Sequence, residues 1–340
     1  MSDALTRDFS VATATGVLGG VPMNTAEFAR RAYLYTANPL RNPFKEVLDA
    51  YPTVQACPPM FGIFNDIPWH KLREDEVAAW AKAGISFVIA DGEHSLDQGR
   101  FGREANAMLL RHGILPVQRL HREARSEHGD HLTLGSRATM RPYATSIEQV
   151  NDYLECVKYP VPGCATQNSR GGFPMRTGDR EMIFTPGALR RAETETQAWV
   201  QFETEELIRA GETRDAVLRA MAAEGRNKTC GFVGPFDALL RSGAGCEGEE
   251  QATGAGQAKR PINDEIDELI AGAAELGIHM GRVCGSGSCS EPKQIEDAMV
   301  AAINNGSRII SSHYLTSDLP YHGASAVAAP FFAACARCGF

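Results

Sequence analysis

Trp199-Val200-Gln201-Phe202-Glu203-Thr204 and Gly231-Phe232-Val233-Gly234-Pro235-Phe236-Asp237 decide how this chain is read. Each is a short apolar run, with β-branched and aromatic residues, that stops at a carboxylate, and an amphipathic segment separates the two. Runs of this length suit strands buried on both faces, and a helical crossover between them makes the strands parallel. Glu203 and Asp237 then end neighbouring strands, at the carboxyl edge where barrels and open α/β sheets build their sites. Two hard oxygen ligands there suit a divalent cation such as Mg²⁺, which takes one or two carboxylates and fills its other positions with water and substrate oxygens. The competing reading makes both residues helix caps, because acids also favour a first helical turn.

The alternation of strand and helix continues outward. Met60 to Phe64 reads as a first strand, and residues 73–82 as a helix ended by Gly84. A second apolar strand, Ser86 to Ala90, runs into Asp91-Gly92-Glu93-His94. A histidine there is a candidate general base near neutral pH, with Asp91 holding its tautomer; a plain polar turn at Gly92 is the alternative. Ile114 to Leu120 forms the next strand and presents Arg119 at its end, either as a fork for a carboxylate or enolate oxygen or as a surface ion-pair partner. Ser146 N-caps a helix that runs to about Lys158. Further on come a helix over residues 264–276, a strand over 279–284, a helix over 292–304, a strand over 308–312 and an apolar helix over 323–336.

Two long irregular stretches, residues 159–186 and 242–261, interrupt the pattern, and such loops are lids, binding segments or insertions. Gly285-Ser286-Gly287-Ser288 follows a strand as a phosphate cradle would, but it lacks the required glycine spacing and reads as an ordinary loop. Residues 1–59 read as an extension packed on the main body, residues 60–340.

Composition sets the bounds. The 340 residues, 43% hydrophobic and 22% charged, are ample for a large core, either as two domains or as one barrel of about 250 residues with extensions. A net charge of −8 provides no broad basic field for nucleic acid. The N-terminal 22 residues lack the apolar run of a signal peptide, and no later run is long enough to span a bilayer. Nine scattered cysteines, an odd number, point to a reducing, cytoplasmic setting. The pair Cys335 and Cys338 has redox or zinc spacing but no companion pair, and reads as incidental.

Five motifs in order carry a resemblance: Asp-Gly-Glu-His at 91–94, Gln118-Arg119, Lys158-Tyr159-Pro160-Val161-Pro162-Gly163, Gln201-Phe202-Glu203-Thr204 and Gly234-Pro235-Phe236-Asp237. Over roughly residues 60–335 the chain resembles the HpcH/HpaI aldolase family of class II, metal-dependent pyruvate aldolases. The resemblance implies a (β/α)₈ TIM barrel with Glu203 and Asp237 binding Mg²⁺, or Mn²⁺ or Co²⁺ in its place. It makes His94 with Asp91 the proton-transfer pair and Arg119 the stabiliser of the enolate oxygen, and puts Gln201, Gly234 and Pro235 around the substrate. It also implies a hexamer of dimers that exchange the last barrel helix; the apolar run Val327 to Ala334 suits that exchange and equally suits packing on its own barrel. The expected chemistry is formation of pyruvate enolate, by aldol cleavage of a 2-oxo acid or decarboxylation of oxaloacetate, and its transfer to an aldehyde or a pyrone. An acyl-CoA lyase of the related citrate lyase branch and a non-catalytic barrel are the rivals. Two departures touch the expected mouth of the barrel. Cys164-Ala165-Thr166 stands where the family has Arg-Gly, and residues 222–228 lengthen the interval between Glu203 and Asp237.

Overall fold

The computed structural model describes residues 16–18, 21–23, 41–92, 102–120, 131–132, 134–159, 186–234, 261–284 and 291–340. A short antiparallel ribbon, β1 (Gly16–Leu18) and β2 (Val21–Met23), precedes a closed barrel. The barrel has eight strands, all parallel: β3 (Met60–Asn65), β4 (Ile85–Asp91), β5 (Leu115–Arg119), β6 (Ala138–Arg141), β7 (Gln197–Phe202), β8 (Thr229–Val233), β9 (His279–Cys284) and β10 (Ile309–Leu315). Ile309 and Ile310 of β10 pair with Met60 and Phe61 of β3, which shuts the ring. Among the described residues a complete helix lies between successive strands everywhere but between β5 and β6, and the expected (β/α)₈ barrel is the fold observed.

Successive residues of a strand face opposite sides, and here one side is the barrel interior. Phe87, Ile89, Leu115, Val117, Met140, Trp199 and Phe232 fill that interior. Their neighbours Val88, Ala90, Val200 and Phe202 face the outer helices instead. Both faces are dry, which is why these strands read as unbroken apolar runs. The interior is full: a β-carbon on Gly62 would lie 2.3 Å from the Phe87 ring, and one on Gly281 2.7 Å from Phe232.

The amino end of the barrel is sealed by a segment that the sequence assigned to an extension. A helix over Pro43–Asp49 delivers Phe44, Val47 and Leu48 into the interior cluster. Phe44 packs 5.7 Å from Phe87 and 5.4 Å from Trp199 between ring centres. Asn42 fixes the helix by accepting from the Phe44 and Lys45 amides at 3.1 and 3.0 Å, while its amide donates to the Glu195 carbonyl and to Gln197 at the start of β7. Arg308 ties the following turn down through the carbonyls of Val54 and Gln55.

Residues 222–228, expected near the mouth, lie at this closed end instead. They run directly into β8 at its amino end, where Asn227 donates to Asp49 at 2.7 Å and Lys228 pairs with Glu193. At the C-terminus, the helix Ala324–Arg337 packs on its own barrel beside the helices Pro292–Asn304 and Glu74–Lys82, with Phe331 stacked on Phe61 at 5.1 Å. Cys335 and Cys338 are free thiols. Among the described residues, no helix is long and apolar enough to cross a membrane.

A buried imidazole at the closed end is markedly shifted. His279 opens β9, only 3% exposed, and burial aided by the positive Arg308 and Arg226 lowers its imidazole from 6.5 to about 4. The folded state therefore refuses a proton that the unfolded chain accepts. Its contribution to stability is complete above about pH 6.5 and is lost progressively as the pH falls toward about 4. Urea unfolding across that window is expected to show a steeper loss of stability for the wild type than for His279→Gln. Equal slopes would mean that other groups carry the acid sensitivity.

Candidate active site

The two-residue period that fills the interior with Phe87, Trp199 and Phe232 continues to the carboxyl mouth, where the inward positions become polar. Asp91 ends β4, Arg119 ends β5, Gln201 follows Trp199 by two, and Glu203 follows Gln201 by two. All but Asp91 are buried, Glu203 completely. A charge in such a position needs partners, because its desolvation is otherwise uncompensated.

Glu203 has them. Its Oε1 accepts the Tyr143 backbone N–H at 2.6 Å, and its Oε2 accepts from Gln201 Nε2 at 2.5 Å. The next residue repeats the tie, since Thr204 Oγ1 donates to the Ala144 carbonyl at 2.8 Å. The loop after β6 and the end of β7 are thus stitched together at consecutive residues. The short helix that follows, Glu205–Ile208, takes Thr204 as its N-cap residue without a side-chain cap bond, so Glu203 does not serve as a cap. Tyr143 delivers its amide from a left-handed backbone, φ +51°, a region that residues other than glycine seldom occupy. No local sequence signal announces it.

Gln201 spends its amide N–H on Glu203, which leaves Oε1 as its other pole. That oxygen is buried with no hydrogen-bond partner among the described residues, and so is an acceptor for a bound group. Gly234, just past β8, packs over both side chains. A β-carbon there would stand 3.0 Å from Gln201 Nε2 and from Glu203 Oε2, and 3.2 Å from Glu203 Cβ.

Arg119 and Asp91 face each other across adjacent strands in direct register. The guanidinium gives Nε at 3.1 Å and Nη2 at 2.7 Å to the same oxygen, Asp91 Oδ1. Its central carbon lies 5.9 Å from the centre of the Phe64 ring, which favours the cation over a π face. On the other side of the strand the Gln118 amide donates to the Arg119 carbonyl at 3.1 Å, and the Gly92 N–H reaches that carbonyl from the end of β4. In the structure Asp91 holds Arg119, and its expected pairing with His94 falls on a residue outside the described ones. His94, Pro235 and Asp237 lie outside the described residues, as do the loops 160–185 and 235–260 and the Gly285–Ser288 stretch.

The described part of the site therefore has an oriented carboxylate on β7, a guanidinium on β5, and an unused amide oxygen beside the carboxylate. Among the described residues no group of three or more His, Cys, Asp or Glu side chains could hold a metal ion. Of the two expected ligands, Glu203 lies among the described residues. A buried carboxylate at the mouth, next to the unpartnered Gln201 oxygen and under the side-chain-free Gly234, has the chemistry of one hard ligand to a divalent cation.

No family model and no curated protein matches this sequence. Solved structures with the same fold do. The chain is similar to an HpcH/HpaI aldolase from Desulfitobacterium hafniense DCB-2, with TM-score 0.55 and 17% identity over 78% of this chain and 89% of that one. It is also similar to an HpcH/HpaI aldolase/citrate lyase family protein from Burkholderia cenocepacia J2315, with TM-score 0.56 and 20% identity over 80% and 92% of the two chains. For macrophomate synthase the TM-score is 0.53, at 15% identity over 87% of this chain and 91% of that one. At these identities the likeness establishes a shared barrel.

The crowding at Gly234 gives a direct check on the carboxylate. In Gly234→Ala the added methyl group must push Glu203 or Gln201 aside by a few tenths of an ångström. Mn²⁺ affinity measured by calorimetry is expected to fall by roughly tenfold or more while the unfolding midpoint changes little, as for loss of an outer contact in metal sites. Unchanged affinity would mean that neither side chain needs its observed position.

Proposed function

We propose that this chain is a carbon–carbon lyase of the HpcH/HpaI type, which uses a divalent cation to form pyruvate enolate. The enolate arises by aldol cleavage of a 2-oxo acid or by decarboxylation of oxaloacetate, and an aldehyde or a pyrone takes it up, as in a macrophomate synthase-like reaction. The observation that carries the reading is the arrival of Arg119, Gln201 and Glu203 at one mouth on the inward faces of β5 and β7. The structural likeness to HpcH/HpaI proteins supports it.

Glu203 would hold the cation, Mg²⁺, Mn²⁺ or Co²⁺, together with Asp237. When bound, the cation supplies Lewis-acid stabilisation of the charge that builds on the keto oxygen. The protein's own groups divide the remaining work. Arg119, held by Asp91, presents guanidinium N–H donors to the same developing charge, already oriented before the reaction begins. Gln201 is fixed by its bond to Glu203, so its oxygen can accept a hydrogen bond without reorganisation. His94 would take the hydroxyl proton as the carbon–carbon bond breaks and return a proton to the enolate carbon. Pro235, beside Gly234, would line the substrate. Decarboxylation of oxaloacetate needs no hydroxyl proton removed, and is the simplest entry to the same enolate.

Incubating the protein with oxaloacetate while following pyruvate is expected to show release that EDTA stops and added Mg²⁺ restores. Glu203→Gln should abolish it without unfolding the chain, because a neutral amide oxygen is a poorer ligand for a hard cation. Release above the spontaneous rate that is indifferent to EDTA would end the metal-dependent reading.

Arg119→Lys separates a directed donor from a general positive field. Lysine retains the charge but loses the planar fork that reaches Asp91 through both Nε and Nη2. A donor aimed at developing charge is worth about 3 kcal/mol, so kcat is expected to drop roughly a hundredfold with metal affinity nearly unchanged. A near-normal kcat with a raised KM would reduce Arg119 to an attractor of the anionic substrate.

A further inference from the structure

We propose that Tyr143 is a positioning residue for Glu203, acting through its backbone and not its phenol. The inference rests on the metal reading of Glu203 given above and extends it to the loop after β6. One carboxylate oxygen, Oε1, accepts the Tyr143 N–H at 2.6 Å, and the other, Oε2, accepts from Gln201 at 2.5 Å. With both oxygens gripped, the carboxylate plane is fixed in a fully buried position. Charge-assisted hydrogen bonds from N–H groups also offset the desolvation of the anion there.

The amide reaches Glu203 because the chain turns left-handed at this residue, φ +51°. An ordinary right-handed or extended backbone would aim the N–H elsewhere. The turn is itself held from the neighbouring strand, since Thr204 Oγ1 binds the Ala144 carbonyl at 2.8 Å. Two consecutive loop residues, 143 and 144, are thus tied to two consecutive strand-end residues, 203 and 204. Such reciprocal stitching fixes the angle of a ligand and not merely its proximity. The tyrosine side chain takes no part in either contact. What the position must supply is an N–H and a tolerated positive φ. Glycine supplies both, whereas a β-branched residue resists the φ.

The test uses the full-length protein and Mn²⁺ titrated by calorimetry, with Glu203→Gln as the reference for a lost ligand. Tyr143→Gly and Tyr143→Phe are expected to bind Mn²⁺ within about twofold of the wild type, and Tyr143→Val on the order of ten- to a hundredfold more weakly, the range for removal of an outer support. Amide exchange at position 143 should be slow in the wild type and in Tyr143→Gly, and faster in Tyr143→Val and Glu203→Gln. A folded Tyr143→Val variant with wild-type affinity overturns the proposal. A Tyr143→Gly variant as weak as Tyr143→Val also overturns it, because the side chain would then be the active part. Should Tyr143→Val not fold, Thr204→Val, which removes the hook on Ala144, is expected to weaken Mn²⁺ binding in the same direction, and unchanged affinity there counts against the inference. If the wild type binds Mn²⁺ no better than Glu203→Gln, the metal reading itself fails and takes this inference with it, an outcome distinct from all of the others.

Discussion

A closed ring of parallel strands leaves an inward-facing side chain nowhere else to go. The alternation that sends Phe87, Trp199 and Phe232 into the interior also sends Asp91, Arg119 and Gln201 inward as each strand reaches the mouth. Arg119 and Glu203 at that edge are charged and nearly dry, so each is acceptable only with partners. Asp91 supplies one for Arg119, and Gln201 with the Tyr143 amide supplies two for Glu203. Breaking one member of such a pair would leave a buried charge uncompensated, which costs far more than the pair contributes to stability.

The two ends of the barrel divide the labour. The amino end is stopped by aromatic and aliphatic side chains from the helix Pro43–Asp49, seated under Phe87 and Trp199. The carboxyl end keeps polar groups whose hydrogen bonds are arranged for orientation. Volume changes at the closed end therefore act on stability, whereas small shifts at the mouth act on geometry. Gly62 and Gly234 illustrate the difference: one yields space to the Phe87 ring, the other to the carboxylate of Glu203.

The strands were legible because burial on both faces leaves a continuous apolar run, and His279–Cys284 and Pro292–Asn304 have the limits expected of them. Arg119 and Asp91 could be read as strand-end residues, but not as partners. That depends on the register between β4 and β5, which neither segment encodes alone. The stopper helix lies in the stretch that reads as an extension, although Asn42 before Pro43 is a helix-start signal in its own right. Residues 222–228 were expected near the mouth even though they immediately precede a strand, and a segment entering a parallel strand lies at its amino end. Tyr143 was beyond sequence reasoning, because its left-handed backbone is imposed by contacts with a strand some sixty residues away.

The stopper also orders events in time. Asn42 finds its partners 153 and 155 positions further along the chain, and the turn after its helix is held by Arg308 across 254 residues. On a ribosome, Phe44, Val47 and Leu48 emerge long before β7 and β10 exist to receive them. Contacts so distant in sequence form slowly and leave apolar surface open in the interim. A nascent chain of this design carries this apolar helix without its partners through most of its own synthesis.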